Sequence, residues 1–368
     1  MTRPYWSRYA GIRVSRRRAL GSGAMLAATA AALPLVGCSD EASAPTAGDQ
    51  PLPGGTLRFG TTLPLSYGLD PHLEQGGGLP VIAKLYGYAH HIDPRDGGFI
   101  LDHAASIEQT EPEVYIFRLG EHRFHAEGGL ASPGRSVTAD DVVSSMRRFR
   151  DHPLVVSGWW HTNMLIAEGA ADPRTVLVRT KRPYADSLHE MGQINAGAIL
   201  PRESIEGQLD LRAGGVGSGP LRIDTAATPE RVRLLRFAVY APQVAYVDAM
   251  EWRVFASDAE KATAFREGAA DVAGCRDRRE ADELGGIAGT VIVEEPSLSW
   301  TSIGLRVDKP PFDDPRVRRA IDIALDRDAM IAIAAAGRGE VAGPVNPHLG
   351  GGFWSLPAAE ILAAQGGD

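Results

Sequence analysis

Six residues in one stretch of this 368-residue sequence carry metal-ligating side chains: His90, His91, Asp93, His103, His122 and His125. Neutral imidazole is the commonest protein ligand for zinc, copper and nickel. His122 and His125, three apart, would share one face of a helix. Phe124-His125, however, follows a strand-like pattern and precedes Gly128-Gly129, and no His-Glu-x-x-His or paired-cysteine motif accompanies the group. Surface or structural histidines are therefore expected, with no resident metal and no cofactor. The search for a nucleophile turns on Gly215-Val216-Gly217-Ser218-Gly219. A hydrolase elbow needs Gly-x-Ser-x-Gly, and this order fails it. Glycines here are expected to supply a tight crossover rather than a phosphate cradle, and no enzyme activity is expected.

The two cysteines exclude a disulfide framework and a cysteine-based zinc site. Cys275, with no histidine pattern near it, is expected to be buried filler. Cys38 has a different setting. Residues 1–18 hold Arg3, Arg8, Arg13, Arg16, Arg17 and Arg18 with no acid, and an uncharged run of Ala, Leu, Gly and Val follows from Ala19 to Gly37. A basic segment followed by an apolar one is the anatomy of a signal peptide, and Gly21, Gly23 and Pro34 weaken it as a spanning helix. Ser15-Arg16-Arg17-Arg18-Ala19-Leu20 resembles a twin-arginine export signal, the general secretory route being the alternative. Leu35-Val36-Gly37-Cys38 resembles a bacterial lipobox, in which the cysteine is lipidated and becomes the mature N-terminus.

Cleavage before Cys38 would remove 37 residues and six positive charges, leaving 331 residues (368 − 37) with a formal charge of −14 (−8 − 6). Stable anchoring then needs the diacyl group that such lipoproteins carry, because one acyl chain binds membranes only marginally. Residues 39–54 read as a flexible tether.

The mature chain must build its own cores, and its length allows two or three domains. A hydrophobic fraction of 44% and a charged fraction of 23% are ordinary for a globular protein. The acidic balance of 46 Asp+Glu against 38 Lys+Arg excludes a dedicated nucleic-acid binder. Strand patterns cover Thr56–Thr61, Val114–Leu119, Thr175–Thr180, Val232–Tyr240, Met250–Phe255, Val291–Val293 and Ser302–Val307. Three helices have start signals: Thr138 before Asp140-Asp141, the Ser257/Glu260 capping box with Gly268 as its stop, and Asp314-Pro315. The last should carry a core-facing stripe of Val317, Ala320, Ile321, Ala324 and Leu325. Strands and helices mixed irregularly indicate a mixed α/β chain rather than strict βαβ alternation.

The order of short motifs adds a resemblance. Gly54-Gly55-Thr56-Leu57-Arg58 opens it, followed by Leu69-Asp70-Pro71-His72. Then come Ile107–Arg118 with Phe124-His125, Ser136–Val142, and Gly217-Ser218-Gly219-Pro220. Phe265–Asp271 and the run from Pro310 to Ile321 close it. In this order the seven segments resemble the family 5 extracellular solute-binding proteins of ABC importers, which bind peptides, dipeptides and nickel chelates. Leu221 and Arg306 depart from the family pattern, standing where an aromatic and a small polar residue are usual.

The resemblance implies an α/β, periplasmic-binding-protein-like (class II) bilobal fold with mixed sheets. Residues 55–67 with 190–300 would be lobe I, 68–189 lobe II, and 301–368 the start of a third lobe left incomplete at Asp368. It implies a peptide-like solute held in a cleft and delivered to ABC permease subunits. The protein would be an exported monomer, lipid-anchored to the outer face of the cytoplasmic membrane or periplasmic. A nickel-chelate or other small-solute binder, and a non-transporting membrane-tethered remnant, are the alternatives. Candidate solute contacts are Tyr67, Trp159, Trp160 and Trp300, each with a core or rim aromatic as its alternative.

Overall fold

The computed structural model describes Val14–Ser15 and residues 52–64, 68–74, 76–93, 98–126, 134–155, 158–169, 172–211, 215–224, 227–240, 245–275, 277–293, 302–334, 337, 339–341 and 360. The chain divides into two compact units, residues 1–93 with 99–273 and residues 94–98 with 274–368. Among the described residues no helix is long and apolar enough to cross a membrane.

The first unit contains two five-stranded sheets. In one, Val14–Ser15, Ala104–Glu111, Val114–Leu119, Thr175–Thr180 and Met164–Gly169 lie side by side in that order, all antiparallel. Tyr115 pairs with Val178 and Phe117 with Val176, and these four with Leu119 form a buried face, while Arg118 between them is exposed. The Ala139–Asp151 helix packs on that face through Val142, Val143, Met146 and Phe149.

Asp140 and Asp141 in the first turn complement the helix dipole. The structure gives Asp141 a larger task. Its carboxylate is 1% exposed and accepts the N–H and hydroxyl of Thr138 at 2.9 and 2.8 Å. It also accepts the N–H of Arg202 at 3.0 Å and the Arg135 guanidinium on both oxygens at 2.7 and 2.9 Å. Arg135 reaches Glu203 as well, at 2.8 and 2.5 Å, and so ties the helix start to the Arg202–Ile205 helix.

In the second sheet the order is Leu221–Ile223, Arg231–Arg236, Ala249–Val254, Thr56–Thr61 and Val272–Ala273. The first three are antiparallel, and Thr56–Thr61 runs parallel to the strands on either side of it. Phe59 stacks on Trp252 with ring centroids 4.3 Å apart, above a core that includes Val232, Leu234, Met250 and the Leu79–Leu85 helix. Ser257 caps the Asp258–Arg266 helix, its Oγ accepting from Glu260 N–H at 3.2 Å, but the expected capping box is not closed, because the Glu260 carboxylate accepts Ala256 N–H at 3.1 Å; Gly268 follows the helix end at φ +69°.

Two apolar cores result, and short stretches of chain contribute to both. Tyr86 and Tyr88 belong to one core and Ala89 to the other. Ala198 and Leu200 alternate in the same way with Ile199, and Val216 with Leu221. The pair Gly87–Tyr88 and Ala198–Ile199 is a two-stranded ribbon at this seam. Leu69-Asp70-Pro71-His72 lies there too: Asp70 takes both guanidinium nitrogens of Arg148 at 3.0 and 2.6 Å, and buried His72 meets Phe149 edge-on.

Three expectations are corrected. Val291–Val293 and Ser302–Val307 alternate in sequence but form no strand, and Val291 and Val293 are about four-fifths exposed (82% and 80%). A strand needs a neighbour for its backbone groups, and no described segment pairs with either. In the second unit Asp314 caps the Pro315–Ala324 helix as expected, accepting Arg316 N–H at 2.8 Å. Its apolar stripe is not core-facing, however: Ala320 and Ala324 are exposed and Val317, Ile321 and Leu325 half-buried. Cys275, expected as buried filler, is exposed just past the end of the Val272–Ala273 strand.

Replacing Arg135 with Ala leaves the Asp141 carboxylate buried without its cation, so unfolding should become easier by about 3 kcal/mol. The measurement is the urea midpoint. A shift no larger than that of an exposed arginine would show that the ion pair is not an anchor.

Candidate functional site

Gly215–Pro220 runs along the seam between the two cores, and it needs its glycines. A Cβ on Gly217 would lie 1.9 Å from the carbonyl oxygen of Leu85, and one on Gly219 would lie 2.6 Å from the carbonyl oxygens of Lys84 and Tyr86. The segment therefore rests directly on the backbone of residues 84–86, with Gly219 N–H donating to Leu85 at 3.0 Å. His125 holds the other side: its N–H donates to Gly217 at 2.9 Å and its Nε2 to Gly219 at 3.1 Å, both to carbonyls.

Ser218 points into a polar cluster. Its Oγ lies 2.9 Å from His103 Nε2, and His103 Nδ1 lies 3.0 Å from Asp102 Oδ1. Asp102 also accepts Tyr240 O–H at 2.7 Å and Tyr88 N–H at 3.0 Å, and His91 Nε2 stands 3.3 Å away. His122 stacks on the His103 ring at 3.9 Å. Burial by itself would raise the Asp102 carboxyl, but the charge and hydrogen bond of His103, with those of His91, hold it far below the usual carboxylate range.

A serine, a histidine and an aspartate in this order form the relay that activates a hydrolase nucleophile. The surroundings prevent that use. Ser218, His103 and Asp102 are 1%, 0% and 3% exposed, so a substrate carbonyl has no approach. The amide following the serine, which an oxyanion would need, is occupied by Leu85.

Asp102, His103 and His122 also bring one ligand atom each within 4.8 Å of one another. Their rings fit a metal poorly. The two stacked imidazoles are near-parallel (13° apart, centroids 3.9 Å), so their in-plane lone pairs lie in separate planes that do not meet at one ion, and His103 already uses both nitrogens.

The remaining histidines are dispersed. His90 Nε2 donates to the Leu188 carbonyl at 2.7 Å, with the ring against Phe99. Desolvation by burial pushes His72 down to about 3, with Arg148 adding to it, and pushes His90 and His125 down to about 4.

Of the proposed solute contacts, Trp160 is 1% exposed and meets Phe149 edge-on at 5.1 Å in the first core. Trp159 is half-buried between Trp160 and Tyr184, at 5.4 and 6.0 Å. Neither shares a contact with the Ser218 cluster. Tyr67, Trp300, Cys38, Arg16 and Arg17 lie outside the described residues. Sequence reasoning named His103 and Ser218 separately and missed Asp102 and Tyr240. His103 and Ser218 are 115 positions apart, and Asp102 and Tyr240 are 138 apart, separations that no local pattern reports.

The sequence model of the family described as "Bacterial extracellular solute-binding proteins, family 5 Middle" matches residues 131–363. The chain belongs to that family. Among curated members, the glutathione-binding protein GsiB of Escherichia coli (strain K12) is 28% identical over 169 residues, 46% of this chain and 33% of GsiB. The Salmonella typhimurium GsiB is 28% identical over 167 residues. The matched stretch thus spans about a third of the length of these relatives (33%).

Several solved binding proteins share the fold. DppA of Helicobacter pylori with the peptide STSA superposes with a TM-score of 0.71 at 22% identity, covering 87% of this chain and 68% of that one. AppA of Bacillus subtilis with a nonapeptide gives 0.69 at 22% identity, covering 86% and 64%. NikZ of Campylobacter jejuni with Ni(L-His) gives 0.65 at 17% identity, covering 78% and 57%. The fold is the expected class II periplasmic-binding-protein type.

The buried histidines set an acid limit on this fold. Their folded values lie below the ordinary 6.5, so below that pH the unfolded chain binds protons that the native chain refuses. Their stabilisation is fully present above pH 6.5 and is lost as the pH falls toward 4, each group steepening the dependence by up to about 1.4 kcal/mol per pH unit. Urea midpoints at pH 7.5, 6 and 5 should fall steadily, and a flat profile would contradict the burial of neutral imidazoles.

Proposed function

We propose that this chain is an extracytoplasmic solute-binding lipoprotein that delivers a peptide-like solute to the permease of an ABC importer. The observation that carries the reading is the family match over residues 131–363, supported by the likeness to proteins solved with peptides. The structure offers no accessible nucleophile at Ser218 to support an enzyme instead. In this reading Arg16 and Arg17 direct export, Cys38 carries the lipid, and residues 39–54 tether the folded part to the outer face of the cytoplasmic membrane. Tyr67, Trp159, Trp160 and Trp300 are the proposed aromatic contacts, with Trp159 better placed than Trp160 because part of its surface is exposed.

Two experiments test this. The purified chain should melt higher with glutathione, a tetrapeptide or an oligopeptide mixture. Ligand at a hundred times its dissociation constant stabilises by about 2.7 kcal/mol. No shift with any of these, but one with a nickel–histidine complex, would move the assignment to the chelate binders. No shift with any probe would remove the solute-binding reading. Separately, Cys38→Ser expressed in a bacterial host should leave the membrane fraction for the soluble one. Unchanged membrane retention would contradict lipid anchoring.

A further inference from the structure

Solute binding, as read above, says nothing of which part of a solute the aromatic contacts hold. One turn of the first unit bears on that. Trp159 Nε1, Trp160 Nε1 and both polar atoms of the Asn163 side chain are buried and make no hydrogen bond. Asn163 is 2% and Trp160 1% exposed. The great majority of buried polar atoms in folded proteins have a partner, and one without is unfavourable. His72, His90 and His125 each leave one ring nitrogen unpaired but use the other, whereas Asn163 pairs neither atom of its carboxamide.

The three residues belong to the Gly158–Asn163 helix. Trp159 and Trp160 stand four and three positions before Asn163, the spacings that bring side chains onto one helix face. Beside this turn lies an open cavity of about 300 Å³ lined by Arg150, Asp151, His161, Met164 and Lys181. Asn163 falls between two of these residues in the chain, and its backbone carbonyl accepts the N–H of a third, Lys181, at 2.7 Å. Arg150 meets both oxygens of Asp151 at 2.6 Å, so the exposed Lys181 carries the remaining formal charge of the lining.

We propose that this turn is the subsite for the carboxylate end of a peptide-like solute, with Asn163 as its specificity-determining residue. The count of donors sets the chemistry. The Asn163 carboxamide offers two N–H donors and one acceptor, and each indole adds one donor. Four donors to one acceptor suit a guest with two carboxylate oxygens and one neighbouring amide N–H, which is the last residue of a peptide. That N–H goes to Asn163 Oδ1, and the carboxylate takes Asn163 Nδ2 and the indoles. Lys181 supplies the countercharge that a carboxylate needs on leaving water. An apolar guest leaves all these atoms unpaired, and an ammonium brings donors where acceptors are required. Trp159 is the entry side, half-buried where Trp160 is covered. The assignment rests on the solute-binding reading and names the part of the solute that is recognised.

Nitrogen NMR of the full chain, following the indole N–H signals of its six tryptophans, tests this. Trp159→Phe and Trp160→Phe assign the two signals concerned. N-acetylalanine, a carboxylate with one amide N–H, should move both, and N-acetylalanine amide, which lacks the carboxylate, should need about ten times the concentration. Asn163→Leu removes the two unpaired atoms, so its urea midpoint should be no lower than that of the unaltered chain while its affinity for N-acetylalanine falls about tenfold. A lower midpoint with unchanged affinity would make Asn163 structural and overturns the proposal. If Asn163→Leu does not fold, Trp159→Phe keeps an aromatic ring, loses one donor and should weaken binding about threefold. Indole signals that answer neither compound, while peptides raise the melting temperature, overturn the subsite and leave solute binding standing. Signals that answer N-acetylalanine, while no peptide stabilises the chain, support the subsite and remove the peptide-delivery reading. Contact with ordered water only, with no response to either compound, overturns the subsite as well.

Discussion

The Asp102 carboxylate organises the seam of this protein. It is almost fully buried, and an unpaired charge there would be strongly unfavourable. Its position is tolerable because four groups surround it: Tyr88 and His91 from one stretch, the adjacent His103, and Tyr240 from 138 positions away. The carboxylate therefore fixes the positions of distant segments more firmly than apolar contact would. Apolar packing is non-directional, whereas a carboxylate with four donors specifies angles as well as distances.

The rest of the first unit follows from that constraint. With Tyr88 and His103 fixed, Gly87 lies against the ring and Ser218 closes the far side. Gly217 and Gly219 then settle on the Leu85 and Tyr86 backbone at distances only glycine permits. The Asp141–Arg135–Glu203 and Asp70–Arg148 pairs apply the same chemistry further out, joining the Ala139–Asp151 helix to its neighbours. Membership of the solute-binding family accounts for the overall frame.

Local signals were legible in the sequence wherever the determinant itself was local. Ser257 with Glu260, Gly268 and Asp314-Pro315 mark helix ends because caps are satisfied within four residues. Val114–Leu119 and Thr175–Thr180 read correctly because each has a paired neighbour that turns alternation into a buried face. Val291–Val293 has the same alternation without such a neighbour, and alternation alone does not make a strand. The Pro315–Ala324 stripe shows the same limit in helical form, since periodicity names a face and says nothing of what covers it. The cluster at Asp102 was invisible for a stronger reason. Its members are unremarkable singly, and only the fold brings them together. The motif Gly217-Ser218-Gly219-Pro220 was visible as a turn, but the partner of its serine was not.

The backbone contact of Gly217 with Leu85 has a consequence for how the chain comes to be folded. Both cores draw residues from the stretches around 86–89, 198–200 and 216–221, and His103 meets Ser218 across 115 positions. Neither core can reach its final packing until those distant stretches have met, so the loop-closure entropy falls before most of the apolar burial that offsets it. The two sheets are therefore separate in space but not in folding. The first unit gains and loses its order as one cooperative body of high contact order, slow to assemble and hard to open piecemeal.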